Sequence, residues 1–212
     1  MVRVPLETIG HGPTRAVLVD LLMAIMDSVA VWRAAAGNER LGLRWRDAVT
    51  ARMIEQAPYR PYEGLVEEAA RVLDIPAAAS SVLLEGWRAM RPWPDSDAIA
   101  RLGLPYAFVT NSSTTLARVA TERSGLQPGA VLTAEDIGWY KPDPRIYEAG
   151  CRALGVPPED VLYVAGSAFD AVGARGAGLR VVFVARRKDQ QVDDPAIRTV
   201  GTLRELSVAN DR

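Results

Sequence analysis

The stretch "AVLVDLLMAIMDS", residues 16–28, decides how the chain is read. It is an apolar run interrupted by a single carboxylate, Asp20. An isolated buried carboxylate is costly unless it is paired or takes up a proton. Asp20 therefore needs a cationic partner elsewhere in the chain, or a place at the end of a strand facing a cavity, or both. "AVLV" (16–19) reads as a short buried strand, which puts Asp20 at its carboxyl end.

Further apolar runs of the same kind follow: "YAFV" (106–109), "VLT" (131–133), "VLYVA" (161–165) and "VVFVA" (181–185). Between them, "STTLARVATERSGL", "DPRIYEAGCRALG" and "AFDAVGARGAGL" have helical spacing and end near glycine. Repeated βα units of this kind predict an α/β fold, a doubly wound parallel sheet with helices on both faces. Residues 28–90 contain no convincing strand, many helix formers and turns at "AAAGNE", "APYRPYEG" and "DIPAA". "RPWPDSD" (91–97) looks like a return linker. The expected division is a core domain from residues 1–27 and 92–212, with an all-helical module, 28–91, inserted after the first strand.

Composition narrows the chemistry. The chain has 212 residues, 49% of them hydrophobic, and a net charge of −1. That suffices for one sizeable core and a smaller module. The near-neutral balance argues against a nucleic-acid partner, and the basic "ARRKDQ" (185–190) reads as a solvated loop after a strand. Cys151 is the only cysteine and His11 the only histidine, which removes disulfide frameworks, thiolate zinc sites, multi-histidine metal sites and His-based triads. The longest apolar run is too short to span a membrane and residues 1–15 lack a signal-peptide pattern, so a soluble cytoplasmic protein is expected.

Ligands of such sheets collect at the carboxyl ends of the strands. There the sequence places Asp20, then Thr110, Asn111 and Ser112, then Lys141 in "DIGWYKPDP", then Asp170 in "GSAFD". Lys141 beside Asp20 would make the buried carboxylate tolerable.

This order resembles the haloacid dehalogenase-like superfamily, over about residues 15–205. Within it, the chain is similar to the L-2-haloacid dehalogenase branch. "VTNSS" is similar to that branch's S-N-G-S stretch, "YKPDPRIYE" to Y-K-P-x-x-x-V-Y-E, and "VAGSAFDAVGARGAG" to V-S-S-N-A-x-D-x-x-G-A-x-x-x-G. "RWRDAV" carries the branch's W-R pair, and the spacing from Arg46 to Tyr62 also fits. There are departures. The family's D-x-Y-G-T-L is here Asp20-Leu21-Leu22-Met23-Ala24-Ile25, the S-S-N stretch has Ala165 and Ser167, and K-Q-L-E-Y after W-R is replaced by "DAVTA".

The resemblance implies a Rossmann-like core under a helical cap and a metal-independent hydrolase with no cofactor. Its substrate would be a small carboxylic acid, and branch members are often homodimers. Asp20 would be the nucleophile, displacing halide from carbon to form an ester that water opens. Lys141 would keep Asp20 ionised, and Asp170 would hold Lys141 or activate the water. Thr110 and Asn111 would donate to the substrate carboxylate or the ester oxyanion. Ser167 and Tyr147 complete the expected substrate-binding set, with Tyr147 suiting a supporting or core position as well. Arg46 would receive the leaving group, with Arg33, Arg40 and Arg44 as competitors. Trp32, Trp45, Met53 and Phe169 suit either an apolar pocket or core packing.

Other readings stay open at this point. A Mg²⁺-dependent phosphatase would carry acids where Leu22 and Ser167 stand. A repurposed homologue binding a small acid or a protein would explain the lost Gly-Thr. The same ester chemistry would also serve another electrophilic carbon.

Overall fold

The computed structural model describes residues 3–10, 12–55 and 58–208, so His11 lies outside the described residues. The strands are β1 (Val4–Pro5), β2 (Ala16–Asp20), β3 (Tyr106–Thr110), β4 (Ala130–Thr133), β5 (Val161–Ala165), β6 (Arg180–Val184), β7 (Arg198–Val200) and β8 (Leu206–Ser207). Six of them form a parallel sheet in the order β4-β3-β2-β5-β6-β7. The remaining two, β1 and β8, pair with each other.

Every residue of β2, β5 and β6 is buried, which is why these strands are continuous apolar runs rather than alternating ones. Two strands outside the expected set, β1 and β8, are only two residues long, and β7 has one buried residue in three. None of these has an apolar run to betray it. In this strand order the chain runs outward from β2 on one side and returns to β5 on the other. The crevice at β2 is therefore the switch point where such sheets bind ligands. Register aligns its rim, with Asp20 beside Val109 and Thr110 beside Thr133.

The helices are α1 (Ser28–Ala36), α2 (Glu39–Glu55), α3 (Tyr62–Val72), α4 (Ala77–Gly86), α5 (Ala98–Arg101), α6 (Thr114–Ser124), α7 (Ala134–Ile137), α8 (Pro144–Leu154) and α9 (Ala168–Gly176). Their ends follow local chemistry. Ser113 caps α6 by accepting from the Leu116 amide, and Asp143 caps α8 ahead of Pro144 in its first turn. No helix among the described residues is long and apolar enough to cross a membrane.

Helices α1 to α4 all fall between β2 and β3, forming the helical insert. They bury Trp45, Val49, Leu65 and Leu83 completely. Trp32 and Trp45 meet edge to face at 5.2 Å, and the Trp45 indole donates to the Val66 carbonyl at 2.9 Å. Two side-by-side segments connect the insert to the sheet. Met26 bridges to Pro92, the Asp27 amide donates to the Arg91 carbonyl at 2.9 Å, and the Trp93 amide donates to the Ile25 carbonyl at 2.9 Å. The insert also touches the strand ends. Ser113 donates to Glu63 at 2.5 Å and Tyr140 to the Arg60 carbonyl at 2.5 Å.

Candidate active site

Each strand end contributes one part of a buried polar cluster. Asp20 closes β2 and is 4% exposed. Its Oδ1 accepts from Lys141 Nζ at 2.8 Å and its Oδ2 accepts from the Met23 amide at 3.2 Å. Lys141 Nζ also donates to Asp170 Oδ2 at 2.7 Å and to the Tyr163 hydroxyl oxygen at 3.2 Å. One ammonium is thus shared by two carboxylates. Burial opposes the charge on Lys141, but Asp170 and Asp20 outweigh it and hold the amine above its ordinary value. Lys141 is thus the cationic partner that the buried Asp20 requires.

The placement of Lys141 has a local cause. The Asn111 side chain is bonded to the Lys141 peptide on both sides. Its Oδ1 accepts from the Lys141 amide at 2.6 Å and its Nδ2 donates to the Lys141 carbonyl at 3.2 Å. The end of β3 therefore sets the direction of the lysine. Thr110 is fully buried, and its Oγ1 accepts from the Ser112 amide at 3.2 Å.

Of the two roles expected of Asp170 the geometry carries the hold on Lys141 and not the other, and the expectation for Tyr147 needs correction. Asp170 is completely buried and does not line the cavity, so it is not placed to activate a water there. Its oxygens accept from Lys141, from Tyr147 at 2.7 Å and from Tyr163 at 2.8 Å. Tyr147, expected to bind substrate, is fully buried behind Asp170 and spends its hydroxyl on it. Burial, then the charge of Asp170, raises both phenols well above their ordinary value, so they remain donors. Tyr163 was missed because a tyrosine inside "VLYVA" reads as core.

A cavity of about 340 Å³ lies between the strand ends and the insert. Asp20, Thr110, Asn111, Lys141 and Ser167 form its polar floor. Ser167 precedes α9 and makes no side-chain capping bond. Leu22, Met23, Trp32, Met53, Ile54, Tyr62 and Phe169 supply apolar wall. Trp45 does not, because it is fully buried behind Trp32.

Of the four arginines weighed, Arg46 alone lines this cavity. Its Nη1 donates to Met23 Sδ at 3.4 Å and its Nη2 to Asp47 at 2.8 Å. Asp47 is 63% exposed, so this pair is solvated and weak. Arg33, Arg40 and Arg44 are exposed. A small molecule in the cavity would lie between a carboxylate paired to an ammonium and a guanidinium whose present partner is easily displaced.

The family model of the haloacid dehalogenase-like hydrolases matches residues 25–178. The chain belongs to this family. Haloacid dehalogenase-like hydrolases similar to it include the (S)-2-haloacid dehalogenase of Pseudomonas sp. (strain YL), 28% identical over 74% of this chain and 68% of that protein. The phosphoserine phosphatase of Thermus thermophilus is 30% identical over 96% of this chain and 76% of that protein. In fold, the L-2-haloacid dehalogenase of Xanthobacter autotrophicus superposes with a TM-score of 0.80 at 21% identity, over 91% of this chain and 96% of that one. The family match begins after Asp20, at the far end of the Leu21–Ile25 turn where the sequence departs from the family pattern.

Proposed function

We propose that the chain is a metal-independent hydrolase acting at carbon, with Asp20 as nucleophile and a small 2-substituted carboxylic acid, such as an (S)-2-haloacid, as substrate. The observation that carries this reading is the arrangement of Asp20, Lys141 and Arg46 around one largely apolar cavity. Asp20 attacks the substituted carbon, an ester bond forms, and the halide leaves with the bonding pair toward Arg46. Water then adds at the Asp20 carbonyl carbon. The ester opens to a 2-hydroxy acid, a regenerated carboxylate and a proton. Lys141 orients Asp20 for the first step through its hydrogen bond to Oδ1, and Asp170 with Tyr163 holds Lys141 in place. Thr110, Asn111 and Ser167 are the residues proposed to meet the substrate carboxylate. Residues 28–91 act as a cap that excludes water and carries Arg46 to the site.

The Thermus relative raises phosphatase chemistry as a second reading. The donor set of this site does not fit Mg²⁺, which requires several well-placed oxygens. Leu22 brings an aliphatic side chain into the cavity two residues after Asp20, and Ser167 stands where phosphatase members carry an acid. Asp20 and Asp170 are both committed to one ammonium.

The test is halide release from a panel of 2-haloacids with EDTA present. Turnover is expected to survive exhaustive chelation. Halide release that disappears on chelation and returns with Mg²⁺ would overturn the metal-independent reading.

A further inference from the structure

The Leu21–Ile25 turn that follows Asp20 is held by side chains far away in sequence. The carbonyl of Met23 accepts from the Trp93 indole at 3.2 Å. The carbonyl of Ala24 accepts from Arg186 Nη2. Arg186 lies 5.1 Å from the Trp93 ring and donates through Nη1 to both oxygens of Asp95 at 2.8 Å. Asp95 is anchored in turn by the Thr202 hydroxyl at 2.5 Å and the Leu203 amide at 2.8 Å. Both charged side chains are at most 7% exposed. The turn also packs against Gly166, where a Cβ would come within 2.4 Å of the Ala24 nitrogen.

We propose that Trp93, Arg186 and Asp95 are positioning residues for the nucleophile, forming a brace on the turn that follows it. This rests on the reading of Asp20 as nucleophile. Three features support a positioning role. The brace grips two successive carbonyls, and the amide of the first gripped residue, Met23, is the donor to Asp20 Oδ2. A shift of the turn would therefore pass directly to the attacking carboxylate. None of the three side chains lines the cavity, so none contacts substrate. Arg186 suits the task because a planar guanidinium bonds Asp95 and the Ala24 carbonyl at once, whereas an ammonium is a compact point charge.

The test uses the full chain with two conservative variants. Trp93→Phe keeps the ring and removes only the indole N–H. Arg186→Lys keeps a cation for the buried Asp95 but gives up the fork. Both should fold. Two quantities are read on the folded protein: kcat and KM on the best 2-haloacid, and hydrogen exchange of the Met23 amide by NMR. In each variant kcat is expected to fall about tenfold, because a small misplacement of a reacting group is expensive. KM is expected to stay within about twofold, because binding contacts are intact. Exchange at Met23 is expected to rise about tenfold while the strand amides keep their protection. Unchanged exchange, or faster exchange with unchanged kcat, would overturn the brace. If the wild type turns over no haloacid, the proposed function fails separately. The exchange result then decides the brace alone: faster exchange at Met23 upholds it and unchanged exchange ends it.

Discussion

Lys141→Met is expected to lose about 3–5 kcal/mol of folding stability, the cost of leaving buried charge without its partner. Two carboxylates, Asp20 and Asp170, depend on the same ammonium, and all three side chains are at most 6% exposed. Asp170 is completely buried and away from the cavity, so solvent offers it little in place of the lost charge. Activity should fall with stability, by about 10²–10³ in kcat at a temperature where the variant is folded, because Asp20 loses the bond from Lys141 that aims it. Asp20→Asn should instead abolish activity with a milder effect on folding, since Lys141 keeps Asp170 and Tyr163 as partners. Chemical denaturation and steady-state kinetics on both variants check this. A Lys141→Met protein as stable and active as wild type would mean that the shared ammonium has no role.

Arg46→Ala is expected to lower the rate by about 10²–10³, or roughly 2–4 kcal/mol of transition-state stabilisation. The guanidinium lines the cavity, and its solvated pairing with Asp47 is weak enough for a departing anion to replace. Arg44 lies two positions earlier on α2, is exposed, and does not line the cavity. Arg44→Ala is therefore the internal control and should stay near wild type. Arg46→Lys should recover only part of the loss, because a single ammonium lacks the planar donor fork. Equal kinetics for Arg46→Ala and Arg44→Ala would place the leaving-group cation elsewhere.

The sheet and its charged rim were legible because parallel strands buried on both faces are unbroken apolar runs, so the first polar residue after each run marks a strand end. Asp20 and Thr110 announce themselves this way, whereas Lys141 and Asp170 stand further along the segments that follow "VLT" and "VLYVA". Burial on both faces also hides information. Nothing in "VLYVA" says toward which face Tyr163 turns, and only the fold reveals that its hydroxyl reaches Lys141 and Asp170. Asn111 was legible as a strand-end amide, but its partner, the Lys141 peptide 30 residues away, was not. Tyr147 and Trp45 show the same limit in helices. Their motifs point to the site, yet one is buried behind Asp170 and the other behind Trp32. The Asp95–Arg186 pair was out of reach for a different reason. It joins residues 91 positions apart, and Arg186 begins a basic stretch that reads as solvated loop.

The measurement that most directly tests the central claim is oxygen incorporation during turnover in ¹⁸O-water. If Asp20 forms the ester and water opens it at the Asp20 carbonyl carbon, solvent oxygen enters the enzyme. Over several turnovers label accumulates in the peptide containing Asp20, where mass spectrometry finds it. Label is expected on Asp20 and on no other carboxylate. Label found only in the product, with the enzyme unlabelled after many turnovers, would mean that water attacks the substrate directly and that Asp20 is not the nucleophile.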